Sequence, residues 1–501
     1  MVRLARRPLL VVAAFVMAIA FWRGFGLFRF YDDWYFAREA DRAVRHHAFV
    51  SFIFTPAEQH WSPLWQAFDF LNAWTIGWQS DALIRSAIVV LVFIGLAVFS
   101  LLTAQLQLSP AATIMGLAVL GLHHLNGTAY YSFDCYSQIA ADLCTWSSLT
   151  LILMVVTGDR DSPQRRGHVI APVLLFTVGL LVKEQGLGAL AGATVLAVWF
   201  TAVERVGAAQ RSTVWSVWAA MLAVGVAFAL LRLVAGRWLA QPYELCLTCV
   251  PGNLGMFLGA LALPLTTVYA YPAIVNPWSS VWTVVITALG ASVVCLTLGM
   301  GVAASARARR AALVIALAIA TLFPIVMLAR VGELHAHTAV FWYALLVAMA
   351  FDGWAERVRT WGRARMLLMG MATLYVIALA ASLRINLNEM RATGERAALW
   401  LSTFREAVRD LPAGSTVLVR GLENVKAPGD YSLYRLTTPG MLLYEGNASL
   451  QFVSPAGVTI VDEDDRADYV VITPRPPGST TFVVDFGGGA LSWREHRAPA
   501  P

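Results

Sequence analysis

Residues 251–278 read PGNLGMFLGALALPLTTVYAYPAIVNPW, and how this stretch meets a membrane decides the arrangement of the whole chain. It is apolar enough to be a crossing, yet it contains Pro251, Pro264, Pro272 and Pro277. Proline removes a helical hydrogen bond and clashes with the preceding turn. If the stretch crosses, two Arg-rich loops land outside the cytoplasm: Arg307, Arg309 and Arg310, then Arg357, Arg359, Arg363 and Arg365. Such loops are normally retained inside. If it re-enters or lies along the outer face, both clusters return inside. Irregular backbone at that depth needs protein or a wet cavity around it, so the expectation is a re-entrant or surface-lying segment.

Working outward, a membrane is unavoidable. Of 501 residues, 58% are hydrophobic and 14% are charged, with mean hydropathy +0.63. Soluble domains carry about 25% charged residues, which excludes that class. With Arg3, Arg6 and Arg7 inside, the crossings are 8–22, 82–103, 110–122, 140–156, 169–182, 187–203, 214–235, 280–303, 311–328, 338–352 and 367–383. This is a polytopic α-helical membrane protein of about eleven transmembrane helices. Arg160, Arg165, Arg166, Arg205 and Arg211 then also face the cytoplasm. The net charge of +6 is scattered between crossings and forms no nucleic-acid stripe. The first apolar run has no small-residue cleavage motif after it, so it reads as a retained span rather than a signal peptide.

Two regions follow: a membrane part, 1–384, whose first extracytoplasmic loop is 23–80, and a segment 385–501 of different character. In the second, Asn388 to Asp410 forms an amphipathic helix with Leu399, Trp400, Phe404 and Val408 at helical spacing. Pro412 and Gly414 end it. Strand-like runs follow at Thr416–Val419, Val458–Val461, Tyr469–Ile472 and Thr481–Phe486, giving a small C-terminal α/β extracytoplasmic domain. Five cysteines are too few for a disulfide framework, and Cys246 and Cys249 read as two unrelated small residues in preference to a local disulfide.

The polar residues of the membrane part gather on the outer side. Asp32 and Asp33 follow the first span amid aromatics. One carboxylate suffices to start the helix that runs toward His46; a pair can divide labour between a base and an orienting group. Later in that loop comes His60, then Ser62-Pro63, a helix start. That helix carries Trp65, Phe68 and Trp74 and is expected in the membrane interface. Lys183-Glu184-Gln185-Gly186 interrupts an apolar region, where charge is costly and tends to be functional. Lys183 and Lys426 are the only lysines among 37 basic residues, so the choice of a compact ammonium over Arg favours phosphate contact above a snorkelling pair. His123, His124 and Asp134 form another outer group, Arg232 and Arg237 a second, and Glu333, His335 and His337 a third. His335-x-His337 in a loop is weak as a metal site.

An acidic pair after the first span, a Ser-Pro-Leu element before the second, and an outer Lys-Glu-Gln-Gly motif together resemble the GT-C glycosyltransferases, O-mannosyltransferase-like, over about residues 8–350. The array of TPR repeats some of those relatives carry is replaced here by the β-rich tail. The resemblance implies inverting transfer of a sugar from a polyprenyl-phosphate-linked donor to a glycan, lipid or protein acceptor, at the outer side of a bacterial plasma membrane. It implies Asp32 as base with Asp33 orienting, and Lys183, then Arg232 and Arg237, on the donor phosphate. Glu184 would hold Lys183, with His60, His123, His124, Asp134, Glu333, His335 and His337 supporting. No cofactor is called for, and no metal is needed for a monophosphate leaving group. A transporter or lipid flippase would also explain charges at depth, and a surface-glycan polymerase or ligase lies close in chemistry.

Overall fold

The computed structural model describes residues 2–21, 31–55, 61–77, 80, 82–131, 135–157, 165–234, 245–264, 281–304, 308–328, 333–408, 416–420, 452–453, 469–472, 481–485 and 492–496. Helices lie on all eleven segments read as crossings, though not over the full length of every one. They are α1 (Val2–Phe21), α5 (Ala82–Gln105), α6 (Pro110–Leu122), α8 (Tyr136–Thr157), α9 (Arg165–Val182), α10 (Leu187–Val198), α11 (Ala208–Val234), α13 (Val281–Ala304), α14 (Ala308–Val326), α15 (His337–Arg357) and α16 (Gly362–Val408). Among the described residues seven helices are long and apolar enough to cross a membrane, those within α5, α8, α11, α14, α15 and α16 and the run Glu184–Val203. The chain is an integral membrane protein.

The first loop contributes α2 (Tyr31–Arg45), α3 (Phe49–Phe54) and α4 (Pro63–Ile76). Pro63 stands in the first turn of α4 after Ser62, as the sequence predicts, although the Ser62 side chain makes no capping bond. Gln66 binds α3 to α4 by donating to the carbonyls of Phe52 and Thr55, each at 2.8 Å. The Phe36 ring sits 4.3 Å from that of Trp65, which joins α2 to α4. Tyr136 Oη then donates to the Trp65 carbonyl at 2.9 Å and reaches Asp69 Oδ1 at 3.1 Å, fastening the loop to α8.

The bundle is centred on α15. Its apolar window is 83% buried, against 28% for α11 and 22% for α16, so α15 is the inner helix and the other two present apolar side chains outward, as a lipid-facing surface must. Phe341 of α15 stacks on Trp146 of α8 at 4.7 Å and meets Phe99 of α5 edge-on at 5.3 Å. Small residues allow the closest approaches: a Cβ on Gly188 of α10 would stand 2.7 Å from the Thr321 carbonyl oxygen of α14. In lipid, where no hydrophobic effect drives helices together, such close packing supplies the attraction.

The proline-rich stretch yields α12 (Val250–Ala262), of thirteen residues, about 20 Å long and short of the ~30 Å hydrocarbon thickness. Pro251 opens this helix rather than breaking it, because the amide it lacks would be unsatisfied there in any case. The chain leaves the helix through Leu263, and the Pro264 carbonyl accepts from Ser382 Oγ. Pro272 and Pro277 lie outside the described residues. Asn253 Nδ2 donates to the carbonyls of Val326 and Leu328, 2.9 Å each, holding α12 against the end of α14.

Two further readings change. Cys246 and Cys249 form a disulfide, not an unrelated pair; a tight turn onto α12 brings their Cα atoms to 5.2 Å, within the span a disulfide bridges. The helix expected from Asn388 is the distal part of α16, which runs unbroken for 47 residues. At 1.5 Å per residue that is about 70 Å, more than twice the hydrocarbon thickness. After it come β1 (Thr416–Arg420), β2 (Phe452–Val453), β3 (Tyr469–Ile472), β4 (Thr481–Asp485) and β5 (Ser492–His496), in one mixed sheet of order β2-β3-β1-β4-β5. β1 runs parallel to β4 and antiparallel to β3. Three of these strands lie on predicted runs; Val458–Val461 lies outside the described residues.

Candidate active site at the polar end of the bundle

Helix direction sorts the polar residues. α9 starts at Arg165 and ends beside Lys183; α11 passes Arg211 early and Arg232 late; α15 starts at His337 and ends at Arg357. The Arg clusters and the candidate site residues therefore occupy opposite ends of the helices they share.

At the polar end, Glu184–Gly186 forms a short 3-10 turn between α9 and α10, with Lys183 as its extended N-cap. Lys183 N–H donates to the Gly179 carbonyl at 2.9 Å, and Gly186 N–H to the Lys183 carbonyl at 3.0 Å. Glu184 faces the first loop, accepting from the Trp61 amide at 3.2 Å and pairing with Arg232. That pair is largely enclosed, with 15% of the Arg232 and 19% of the Glu184 side chain exposed. The Trp61 ring lies 5.7 Å from Phe228 of α11, closing the same joint.

Gln185 faces the other way, into a buried polar knot that the sequence reading does not contain. Its Nε2 donates to Asp142 Oδ1 at 3.2 Å and to Thr338 Oγ1. Asp142, on α8, also accepts from Gln138 Nε2 at 2.9 Å, His337 Nδ1 at 2.7 Å and Thr338 Oγ1 at 2.5 Å. A buried carboxylate is costly unless donors surround it, and here four do. Because a carboxylate only accepts, His337 Nδ1 carries a proton and donates it to Asp142. The His337 ring lies between Trp146 and Tyr130, at 5.3 and 6.4 Å.

His123 and His124 are fully buried where α6 meets α7 (Asn126–Tyr131). His123 Nδ1 accepts from the Leu125 amide, so Nε2 carries the proton and donates to the Leu261 carbonyl of α12 at 3.1 Å. Burial lowers its pKa to about 4, with the Leu261 carbonyl opposing. The His124 ring stacks on it at 4.7 Å and is likewise lowered by burial and by His123.

The structure thus joins Glu184 with Arg232 and with the first loop, and places Gln185, next in the chain, on the partners of His337. Asp32 and Asp33 fall in the first turn of α2, inside the helix rather than at its cap; their side chains, like that of Glu333, lie outside the described residues. So do His60, Asp134 and Arg237. His335 sits in the 3-10 turn Glu333–Ala336 before α15, and His337 is turned to Asp142. Among the described residues no three His, Cys, Asp or Glu side chains cluster as metal ligands. One signal was available for Asp142: it is the lone charged residue in 140–156, and intramembrane carboxylates mark functional positions.

No family model and no curated protein matches the sequence. Solved structures do match by shape. ArnT from Cupriavidus metallidurans bound to undecaprenyl phosphate superposes with a TM-score of 0.51 at 13% identity, over 97% of this chain and 92% of that one. The fold is that of the GT-C glycosyltransferases. The Archaeoglobus fulgidus oligosaccharyltransferase in the apo form gives a TM-score of 0.53 at 13% identity, over 81% of this chain and 58% of that one. Its complex named AglB, with an inhibitory peptide and a dolichol-phosphate, gives 0.50 at 12% identity. This GT-C-fold chain spans little more than half the length of the oligosaccharyltransferase.

Proposed function

We propose that this chain is an inverting glycosyltransferase that moves a sugar from a polyprenyl-phosphate-linked donor to an acceptor outside the cytoplasm. One observation carries the reading. In a fold whose solved members include an enzyme bound to undecaprenyl phosphate, Glu184, beside Lys183, is bonded to the first loop, the loop in which Asp32 and Asp33 lie. On this reading the two halves of the required chemistry share one end of the bundle.

In this mechanism Asp32 takes the proton of the acceptor hydroxyl, and that oxygen attacks the anomeric carbon from the face opposite the lipid phosphate. The bond between carbon and phosphate oxygen breaks, and its electron pair leaves on the phosphate. Asp33 orients the acceptor. Lys183 meets the charge developing on the phosphate, where a fixed cation lowers the barrier, with Arg232 and Arg237 behind it. The pairing of Glu184 with Arg232 makes Arg232 the lesser contributor.

The Cys246–Cys249 disulfide lies just before α12 and against the end of α14, at the end of the bundle that holds the site. Disulfides persist outside the reducing cytoplasm, which favours an extracytoplasmic site in a plasma membrane, with Arg loops inside. The sheet after α16 then lies outside as well.

The test is transfer from radiolabelled polyprenyl-phosphate sugars in membranes. Asp32→Asn is expected to reduce the rate by about 10²–10⁴-fold, the usual worth of a general base, and Lys183→Ala by about 10²–10³-fold, as for a lost charge-stabilising donor. Undiminished transfer in Asp32→Asn, Asp33→Asn and Lys183→Ala alike would sink the site, and transfer without lipid-linked sugar would sink the reaction. Net movement of intact lipid across the bilayer would instead support the flippase reading.

A further inference from the structure

Asp142 is a buried carboxylate that the mechanism above does not use, and its bonds lead directly to the turn that carries Lys183. Resting on the reading of that turn as the donor-phosphate grip, we propose that Asp142 is a positioning residue that fixes Lys183–Gly186 through Gln185. The turn is short and joins two helices, so its orientation depends on what its side chains hold. Glu184 ties it outward to Trp61 and Arg232. Gln185 ties it inward to Asp142 and Thr338.

The inward anchor is the stiffer one. Asp142 and His337 retain 1% and 3% of their side-chain exposure, and Gln138 and Thr338 are as deeply buried. Asp142 draws its donors from α8, α15 and the turn, so it sets the distance among three elements at once. Only a carboxylate accepts from all four without turning a donor toward any. Asn at this position would present an amide N–H₂ to half of them; with its nitrogen in place of Oδ2, His337 would have to change tautomer and Gln138 rotate its amide. Ala would leave Thr338, Gln138 and His337 short of an acceptor and Gln185 with Thr338 Oγ1 alone, and buried donors left so are destabilising.

With two lysines in the chain, Lys183 can be read chemically without reference to turnover. The experiment is amine acylation of the detergent-solubilised full chain, scored by peptide mass spectrometry, with Lys426 as the internal reference. Asp142→Ala and Gln185→Ala are each expected to shift the Lys183-to-Lys426 ratio by about tenfold, and Asp142→Asn by less, as coupled neighbours do. In transfer assays, Asp142→Ala combined with Lys183→Ala is expected to cost no more than Lys183→Ala alone. An unchanged labelling ratio in Asp142→Ala and Gln185→Ala, or additive losses in the double variant, would overturn the positioning role. Gln185→Ala leaves Asp142 three donors and keeps the test open if Asp142→Ala fails to fold. Absence of any sugar transfer by the wild type would refute the proposed reaction, while the labelling result would still decide the positioning role.

Discussion

Gly186 admits no side chain: a Cβ there would stand 2.8 Å from the Gly179 carbonyl carbon. Gly186→Ala must push the turn away from α9, and overpacking of this kind costs about 1–3 kcal/mol; a lower unfolding temperature together with reduced transfer is the expected result. His123 makes a separate prediction. Its folded pKa, about 4, lies below the 6.5 of an ordinary imidazole, so the unfolded chain binds the extra proton first. Stability is therefore full above pH 6.5 and is lost as pH falls toward 4. Thermal unfolding in detergent between pH 7 and 4 should show that decline, and His123→Asn should flatten it; an unchanged slope would remove His123 as its cause. At this scale the sequence exposed Lys183, Glu184 and His337, because each charge or imidazole borders an apolar run. It hid the knot, because Gln138, Asp142 and Thr338 become partners only when α8 and α15 pack.

Among the elements, α12 and the turn before it depend on tethers rather than on length. Cys246 N–H donates to the Met327 carbonyl, and Asn253 holds the Val326 and Leu328 carbonyls. The disulfide closes a four-residue loop, worth about 2 kcal/mol in the chain-entropy relation. Replacing both cysteines by Ser, or adding a reductant, should lower the unfolding midpoint accordingly, and equal midpoints would show that the other bonds hold the turn alone. The prolines of 251–278 read as helix breakers in sequence, but Pro251 stands in the first turn of α12, where it opens the helix. Likewise α16 reads as two helices in sequence because its apolar and amphipathic halves differ, while the backbone hydrogen bonds pass from one to the other without interruption.

For the molecule as a whole, the opposite placement of Arg clusters and site residues gives a topological prediction. A reporter fused after Arg310 should read cytoplasmic, and one fused after Arg357 should agree; an outside reading at either would reverse the assignment of 251–278. The sequence by itself determined the membrane class and the positions of the apolar helices. Those follow from hydropathy and charge, which are local properties averaged over about twenty residues. Tertiary structure alone decided that Glu184 takes Arg232 and the first loop, that Gln185 reaches Asp142, and that α15 is the central helix. Those depend on which faces of distant helices meet, and a sequence of near-uniform apolar runs carries too weak a pattern to select them.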